Sequence, residues 1–194
     1  MTIDKRQVGR RFDRHASSYD DHAHVQQAMA DRLMERVAAT GVAPAGVLEL
    51  GCGTGYLTER LVRRFPGARI TAVDLADGMV RAARERLGPG ARVELAVADV
   101  EEVPWDGRRF DLVVSNATIQ WLAAPAATMA SLGRALAPGG VMLHATFGPQ
   151  TFRELFTALD RVEAARALPS RRHGLTLLAA AEWAELLRAG GLVD

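Results

Sequence analysis

The chain has 194 residues, 48% of them hydrophobic. That suits one α/β domain on a scale of roughly 100–200 residues per domain, and it excludes disorder, collagen and coiled coil. Its 24 basic and 23 acidic residues leave a net charge of +1, so no global field draws it to nucleic acid or to a membrane surface. Any charged partner must be met by a local patch. The single cysteine, Cys52, allows no internal disulfide and cannot anchor a thiolate metal site, which suits a reducing compartment and makes the cytoplasm the expected location. The opening MTIDKRQVGRRFDRH is too charged for a signal-peptide core, and no apolar run approaches the roughly 18 residues of a membrane helix. Lys5 is the only lysine, a bias that reads as codon composition rather than function.

In chain order, residues 7–39 read as helical, with Val25, Met29, Leu33, Met34 and Val37 recurring on one apolar stripe. A short buried strand, Val47 to Leu50, runs into Gly51-Cys52-Gly53-Thr54-Gly55, and Leu57, Leu61, Val62 and Phe65 give the apolar face of the next helix. The alternation repeats: strand Ile70–Val73, helix Gly78–Leu87, strands Val93–Val97 and Asp111–Ser115, a helix around Thr128–Leu136, and strand Val141–Thr146 after Pro138-Gly139-Gly140. Helices follow near Thr151–Ala165 and Ala179–Ala189, and Leu192-Val193-Asp194 starts something strand-like. The expectation is a doubly wound, Rossmann-like parallel sheet with right-handed crossovers, residues 1–40 forming a helical extension to the α/β unit of residues 41–194. Such sheets bind ligands at the carboxyl ends of their strands.

A strand ending in Gly-x-Gly-x-Gly and opening a helix lets backbone amides approach a ligand closely, because glycine tolerates positive φ. The dinucleotide fingerprint needs glycine or alanine at the sixth place from Gly51, where this chain has Tyr56, so a nicotinamide oxidoreductase is disfavoured. No Gly-Lys-Ser/Thr follows, so a P-loop is absent. Asp74, 19 residues after Gly55, sits where a carboxylate can accept the hydroxyls of an adenosine ribose. Asp99 ends the third strand, placed for the adenine amino group, and Glu49 precedes the turn, able to face an ammonium or a sulfonium. Three acids at successive strand ends suit a cationic adenosyl ligand better than an anionic one.

These segments, with Ala98-Asp99-Val100, Phe110-Asp111-Leu112-Val113-Val114-Ser115-Asn116 and Leu136-Ala137-Pro138-Gly139-Gly140, resemble the successive motifs of class I S-adenosylmethionine-dependent methyltransferases over about residues 45–147. The resemblance implies that Glu49, Gly51, Gly53 and Gly55 meet the methionine end of the cofactor. It further implies that Asp74 with Leu75 takes the ribose, Asp99 with Val100 the adenine, and that Asn116 sits beside the methyl donor, leaving S-adenosylhomocysteine as product. It also makes residues 1–40 a lid. The family sheet has seven strands, the last two an antiparallel hairpin, and this sequence stops as the sixth would begin, so a sheet lacking its last two strands, with an exposed edge and reduced stability, is expected.

Two further stretches narrow the resemblance. They are Phe12-Asp13-Arg14-His15-Ala16-Ser17-Ser18-Tyr19-Asp20, and Ser115-Asn116-Ala117-Thr118-Ile119-Gln120-Trp121 paired with Thr146 to Leu155. Together they resemble the malonyl-acyl carrier protein O-methyltransferases of biotin synthesis, which implies methylation of the free carboxylate of a malonyl thioester. The Asn-Ala-x-x-Gln-Trp stretch is also similar to trans-aconitate methyltransferases, and a non-catalytic S-adenosylmethionine-binding protein is a third reading. An ionised carboxylate needs no general base, only positioning by one or two hydrogen bonds in a dry pocket. Tyr19, Gln120 and Trp121, with Phe147, are the candidates for that work. Because the resemblance implies an acidic carrier protein as partner, Arg10, Arg11, Arg14, Arg171 and Arg172 are the candidate dock. No metal site is expected, since His22-x-His24 lacks a nearby acid or thiol set. No nucleic-acid or membrane partner is expected either. His144 reads as a satisfied core histidine.

Overall fold

A computed structural model describes residues 3–105, 107–169 and 173–193. The expected 7–39 helix is instead two: α1 (Lys5–His15) and α2 (His24–Ala39), separated by a 3-10 turn at Ala16–Ser18 and an irregular stretch through Ala23. The apolar periodicity hides the break, because the polar run Ser17 to Asp21 is held by tertiary bonds. Asp20 accepts from the Thr54 hydroxyl at 2.7 Å and pairs with Arg86. The buried stripe of α2 is Ala30, Leu33 and Val37, whereas Val25 is exposed.

The remaining elements are β1 (Gly46–Leu50), α3 (Tyr56–Arg64), β2 (Arg69–Asp74), α4 (Asp77–Leu87), β3 (Val93–Val97), β4 (Phe110–Asn116), α5 (Pro125–Ala135), β5 (Leu136–Ala145), α6 (Arg153–Ala165) and α7 (Ala180–Ala189). A proline at the start of α5, where its missing N–H is no loss, begins that helix earlier than its apolar pattern indicates. The strand after it also begins early: Pro138-Gly139-Gly140 lies inside β5, and the pairing with β4 slips between Phe110 and Leu112 to absorb it. Leu192 and Val193 form no strand, and Asp194 lies outside the described residues.

The sheet is parallel throughout, in the order β3-β2-β1-β4-β5. Alternation along the strands divides the core in two. Val47, Ile70, Ala72, Leu112 and Val114 pack under α2, α3 and α4, while Leu48, Leu50, Val73 and Val113 pack with Trp105, Met129, Leu132 and Trp183 on the other face. Because the chain goes from β1 outward to β3 and then back to β4, the crevice between β1 and β4 is the topological switch point. The glycine turn opens there. None of the helices among the described residues is long and apolar enough to cross a membrane.

Candidate active site

Gly51, Gly53 and Gly55 have φ of +72°, +53° and +83°, a left-handed region closed to most side chains, and this lets β1 reverse into α3. Their roles differ. A Cβ on Gly51 would lie 2.0 Å from Thr118 Oγ1, and one on Gly55 would lie 3.0 Å from Ala83 on α4. A Cβ on Gly53 would meet nothing within 4 Å, so on that side the backbone borders open space that a ligand can enter. Asp74, at the end of β2, braces the turn: its Oδ2 accepts from Gly53 N–H and its Oδ1 from Ala76 N–H, both at 2.9 Å. Burial raises its pKa against the partial relief those amides give. Each oxygen keeps a lone pair for a further donor.

Behind the turn lies a shortage of donors. Glu49 points to the α2 and α3 side and is 1% exposed, and its Oε2 has no hydrogen-bond partner. Burial pushes its pKa up to about 8, against partial relief from the neighbouring Thr58 hydroxyl, and the Asp74 carboxylate adds to the rise. Asn116, at the end of β4, donates its Nδ2 to the Gln26 carbonyl at 2.9 Å, but its buried Oδ1 has no partner. Both residues line a small cavity of about 50 Å³ with Gly51, Gly53 and Tyr19. Two orphaned acceptors on residues that share one small cavity call for a cationic donor. The backbone just beyond is strained, Ala117 having φ of +52°, as befits a strand end held for function. The Cys52 thiol, buried in the same turn, has its pKa pushed up by burial and is an inert filler.

The lid closes over these strand ends. Asp13 Oδ1 accepts from Gly78 N–H at 2.7 Å, capping the start of α4. Phe12 packs edge-on against Tyr19 at 6.1 Å and against Trp121 at 5.9 Å. Lys5 Nζ reaches both oxygens of Asp99 at 2.6 Å and also pairs with Glu101. Burial opposes the Lys5 charge, yet the hydrogen bonds to the two acids outweigh it and raise its pKa. Burial likewise opposes the Glu101 charge, but Lys5, the amides of Ala123 and Ala124 and the Thr128 hydroxyl hold its pKa below the usual carboxylate range. The lone lysine is thus a latch and not a mark of codon composition. Its rarity was the available signal.

Two more cavities adjoin the first. One, of about 100 Å³, runs beneath α1 between Lys5 and the strand ends and is lined by Gly51, Gly53, Asp74, Leu75, Asp99, Val100 and Asn116. A larger chamber of about 740 Å³ lies on the outer side of Phe12, Tyr19 and Trp121. Tyr19 borders all three, and its hydroxyl makes no hydrogen bond with the described residues. Burial raises its pKa, as do the Asp74 and Asp20 charges, so the phenol stays a donor.

Most expected site residues therefore meet at one place, and a few do not. Gly55 lines none of the three cavities and serves the α3–α4 approach. Gln120 lines none either: its Nε2 donates to the Ala117 carbonyl at 2.7 Å and its Oε1 accepts from Thr146 at 2.8 Å, so it braces the strained turn. Phe147, Arg10 and Arg14 are also outside the cavity linings, whereas Arg11 lines the chamber. Arg171 and Arg172 lie outside the described residues. His144 is half-buried and outside both core clusters; it packs edge-on to Trp183 at 5.5 Å, and burial lowers its pKa.

Residues 47–140 match the family model of the methyltransferase domain. The chain is 41% identical to the malonyl-acyl-carrier protein O-methyltransferase of Paenibacillus sp. (strain JDR-2), over 98% of this chain and 72% of that protein. It is 45% identical to the protein of the same name from Anoxybacillus flavithermus, over 80% of this chain and 58% of that relative. This chain thus spans between about half and three quarters of the length of such relatives. Among solved structures, the N-methyltransferase NodS from Bradyrhizobium japonicum WM9 shares the fold, with a TM-score of 0.71 at 19% identity over 93% of this chain and 84% of that one. With the strand-end crevice, the glycine turn and a match that covers 98% of this chain and 72% of the Paenibacillus protein, the chain belongs to the malonyl-acyl-carrier protein O-methyltransferase family.

Proposed function

We propose that the protein is an S-adenosylmethionine-dependent carboxyl O-methyltransferase that esterifies the free carboxylate of a malonyl thioester on acyl carrier protein, early in biotin synthesis. The observation that carries the reading is the pair of orphaned acceptors, Glu49 Oε2 and Asn116 Oδ1, on two residues that line one small cavity against the glycine turn. They fit the ammonium of an amino-acid cofactor. Gly53 leaves room for its backbone, Asp74 has lone pairs for a ribose, and Asp99 offers an acceptor for adenine once Lys5 gives it up. Bound S-adenosylmethionine supplies an electrophilic methyl group on a sulfonium.

The acceptor carboxylate arrives ionised at neutral pH, so the chain's own residues need only place it and keep water out. Tyr19 can donate one hydrogen bond to it from the junction of the three cavities. A single neutral donor orients the anion without quenching its nucleophilicity, which a bidentate arginine would do. Phe12 and Trp121 wall off solvent, strengthening the attraction between donor cation and acceptor anion. Exposed Arg10 and Arg14 on α1 offer charges to an acidic carrier. The test is methyl transfer from labelled S-adenosylmethionine to malonyl-acyl carrier protein, malonyl-coenzyme A and trans-aconitate. Preference for the carrier-bound malonyl thioester is expected; preference for trans-aconitate overturns the reading.

A further inference from the structure

The chamber outside Tyr19 is far too large for the acid that this reading delivers to it. At about 740 Å³ it matches sites for drug-sized ligands, roughly 300–1,000 Å³, whereas a malonyl group is three carbons long. Its walls are mainly apolar: Ile3, Val8 and Phe12 from the lid side, Trp121, Leu122 and Leu175 from the other. Polar groups are few and sit along one line of α1. Gln7, Arg11 and His15 are spaced four residues apart, so they follow one another up a single helix face. Asp4, at the foot of that line, accepts from Gln7 N–H at 3.1 Å as the helix cap. Arg11 is exposed and, like Arg6, Arg10 and Arg14 on the same helix, has no hydrogen bond or ion pair with any described residue; what sets it apart is that it lines the chamber. Its fellow candidates Arg10 and Arg14 lie outside the chamber.

We infer that this chamber is the site of the acceptor's phosphopantetheine arm, with Arg11 as the residue that recognises its phosphate and sets specificity for phosphorylated thioesters. The inference rests on the carrier-thioester reading above and adds the place and the determinant. The arm is a chain of methylenes, a gem-dimethyl group and two amides ending in a phosphate, a diester to serine on the carrier and a monoester in the free arm. Apolar walls match its carbon, the Gln7 carboxamide can pair with its amides, and the unpaired guanidinium matches the phosphate, for which its planar fork is suited. The chamber joins the cofactor cavity at Phe12, Tyr19 and Trp121, so a thioester lying in it delivers its carboxylate to Tyr19. His15, one turn beyond Arg11, supplies a second donor at the phosphate end.

The test needs no carrier protein. Binding of 4′-phosphopantetheine and of pantetheine is measured on the whole chain by the tryptophan fluorescence to which Trp121 contributes, and KM is measured for the malonyl thioesters of both. The phosphorylated arm is expected to bind tenfold or more tightly than the unphosphorylated one, an advantage of about that size being what one charge-assisted pair provides. In Arg11→Met the ratio falls to near one, Arg11→Lys restores part of it, and Arg92→Met, which removes the same charge beside β3, keeps it. Ala123→Trp, at an exposed chamber position, abolishes arm binding while cofactor binding persists. A phosphate preference unchanged in Arg11→Met, or arm binding that survives Ala123→Trp, overturns the inference. If the arm binds as described but no malonyl thioester is methylated, the carrier-thioester function fails and the site stands.

Discussion

Glu49→Gln separates the cost of the cofactor site from its use. The carboxyl is fully buried, and its pKa in the folded chain lies at about 8 against an ordinary 4.5. Because the folded state holds this proton more tightly than the unfolded state, the stabilising contribution is complete below pH 4.5 and is lost as pH rises through about 8. By that linkage, Glu49 destabilises the cofactor-free protein by about 1 kcal/mol at pH 5 and by about 3 kcal/mol at pH 7. Glutamine is neutral at both, so the variant should gain about 2 kcal/mol on wild type between pH 5 and pH 7. Urea denaturation without cofactor reads this directly. Binding reads the opposite side of the same linkage. A cationic ligand needs Glu49 ionised, so wild-type affinity for S-adenosylmethionine should tighten about ninefold from pH 6 to pH 7, with release of a proton. Calorimetry in two buffers of different ionisation enthalpy measures that proton. Glu49→Gln should bind weakly with no such dependence. Equal urea midpoints for the two proteins at both pH values, together with pH-independent wild-type affinity, would refute the reasoning.

Tyr19→Phe keeps the aromatic packing on Phe12 and removes only the hydroxyl, so kcat for the malonyl thioester should fall about 10- to 100-fold, the loss of one hydrogen bond to a charged group, while cofactor affinity holds. An unchanged kcat in steady-state assays would remove Tyr19 from the acceptor site. Lys5→Met frees Asp99 and Glu101 from their shared cation and should speed cofactor association several-fold in stopped-flow fluorescence, since a part-buried pair of this kind resists opening by about 1 kcal/mol. Identical rates would show that the latch does not gate entry. Gly51→Ala meets Thr118 and a left-handed φ together and should lose about 2–4 kcal/mol in thermal or urea unfolding, whereas Gly53→Ala should cost about 1 kcal/mol yet still abolish cofactor binding. Comparable destabilisation of the two variants would contradict the assignment of Gly53 to the ligand side.

The parallel sheet and its ligand end were legible because their signals are local. Val47 to Leu50 is an apolar run ended by glycines that only one backbone path accommodates, and Asp74 and Asp99 fall at strand ends that the alternation of elements fixes. What escaped depends on contacts between distant residues. The break between α1 and α2 has no proline or glycine to mark it, and it exists because Asp20 is drawn to Thr54 and Arg86, 34 and 66 residues away. Gln120 carries the residue type expected of a substrate contact, yet the Ala117 carbonyl takes its Nε2 and the Thr146 hydroxyl takes its Oε1. Lys5 lies 94 residues from Asp99, and no periodicity connects them.

That lysine has a practical consequence. It is the only side-chain amine in the chain, and its ammonium is held between two carboxylates while the lid is shut. An amine with a raised pKa, part-buried and held between two carboxylates, is a poor nucleophile, so opening of the lid speeds its modification by acylating reagents. Acylation at Lys5, followed over time on the peptide that carries it with and without each ligand, therefore records how often the enzyme opens its door.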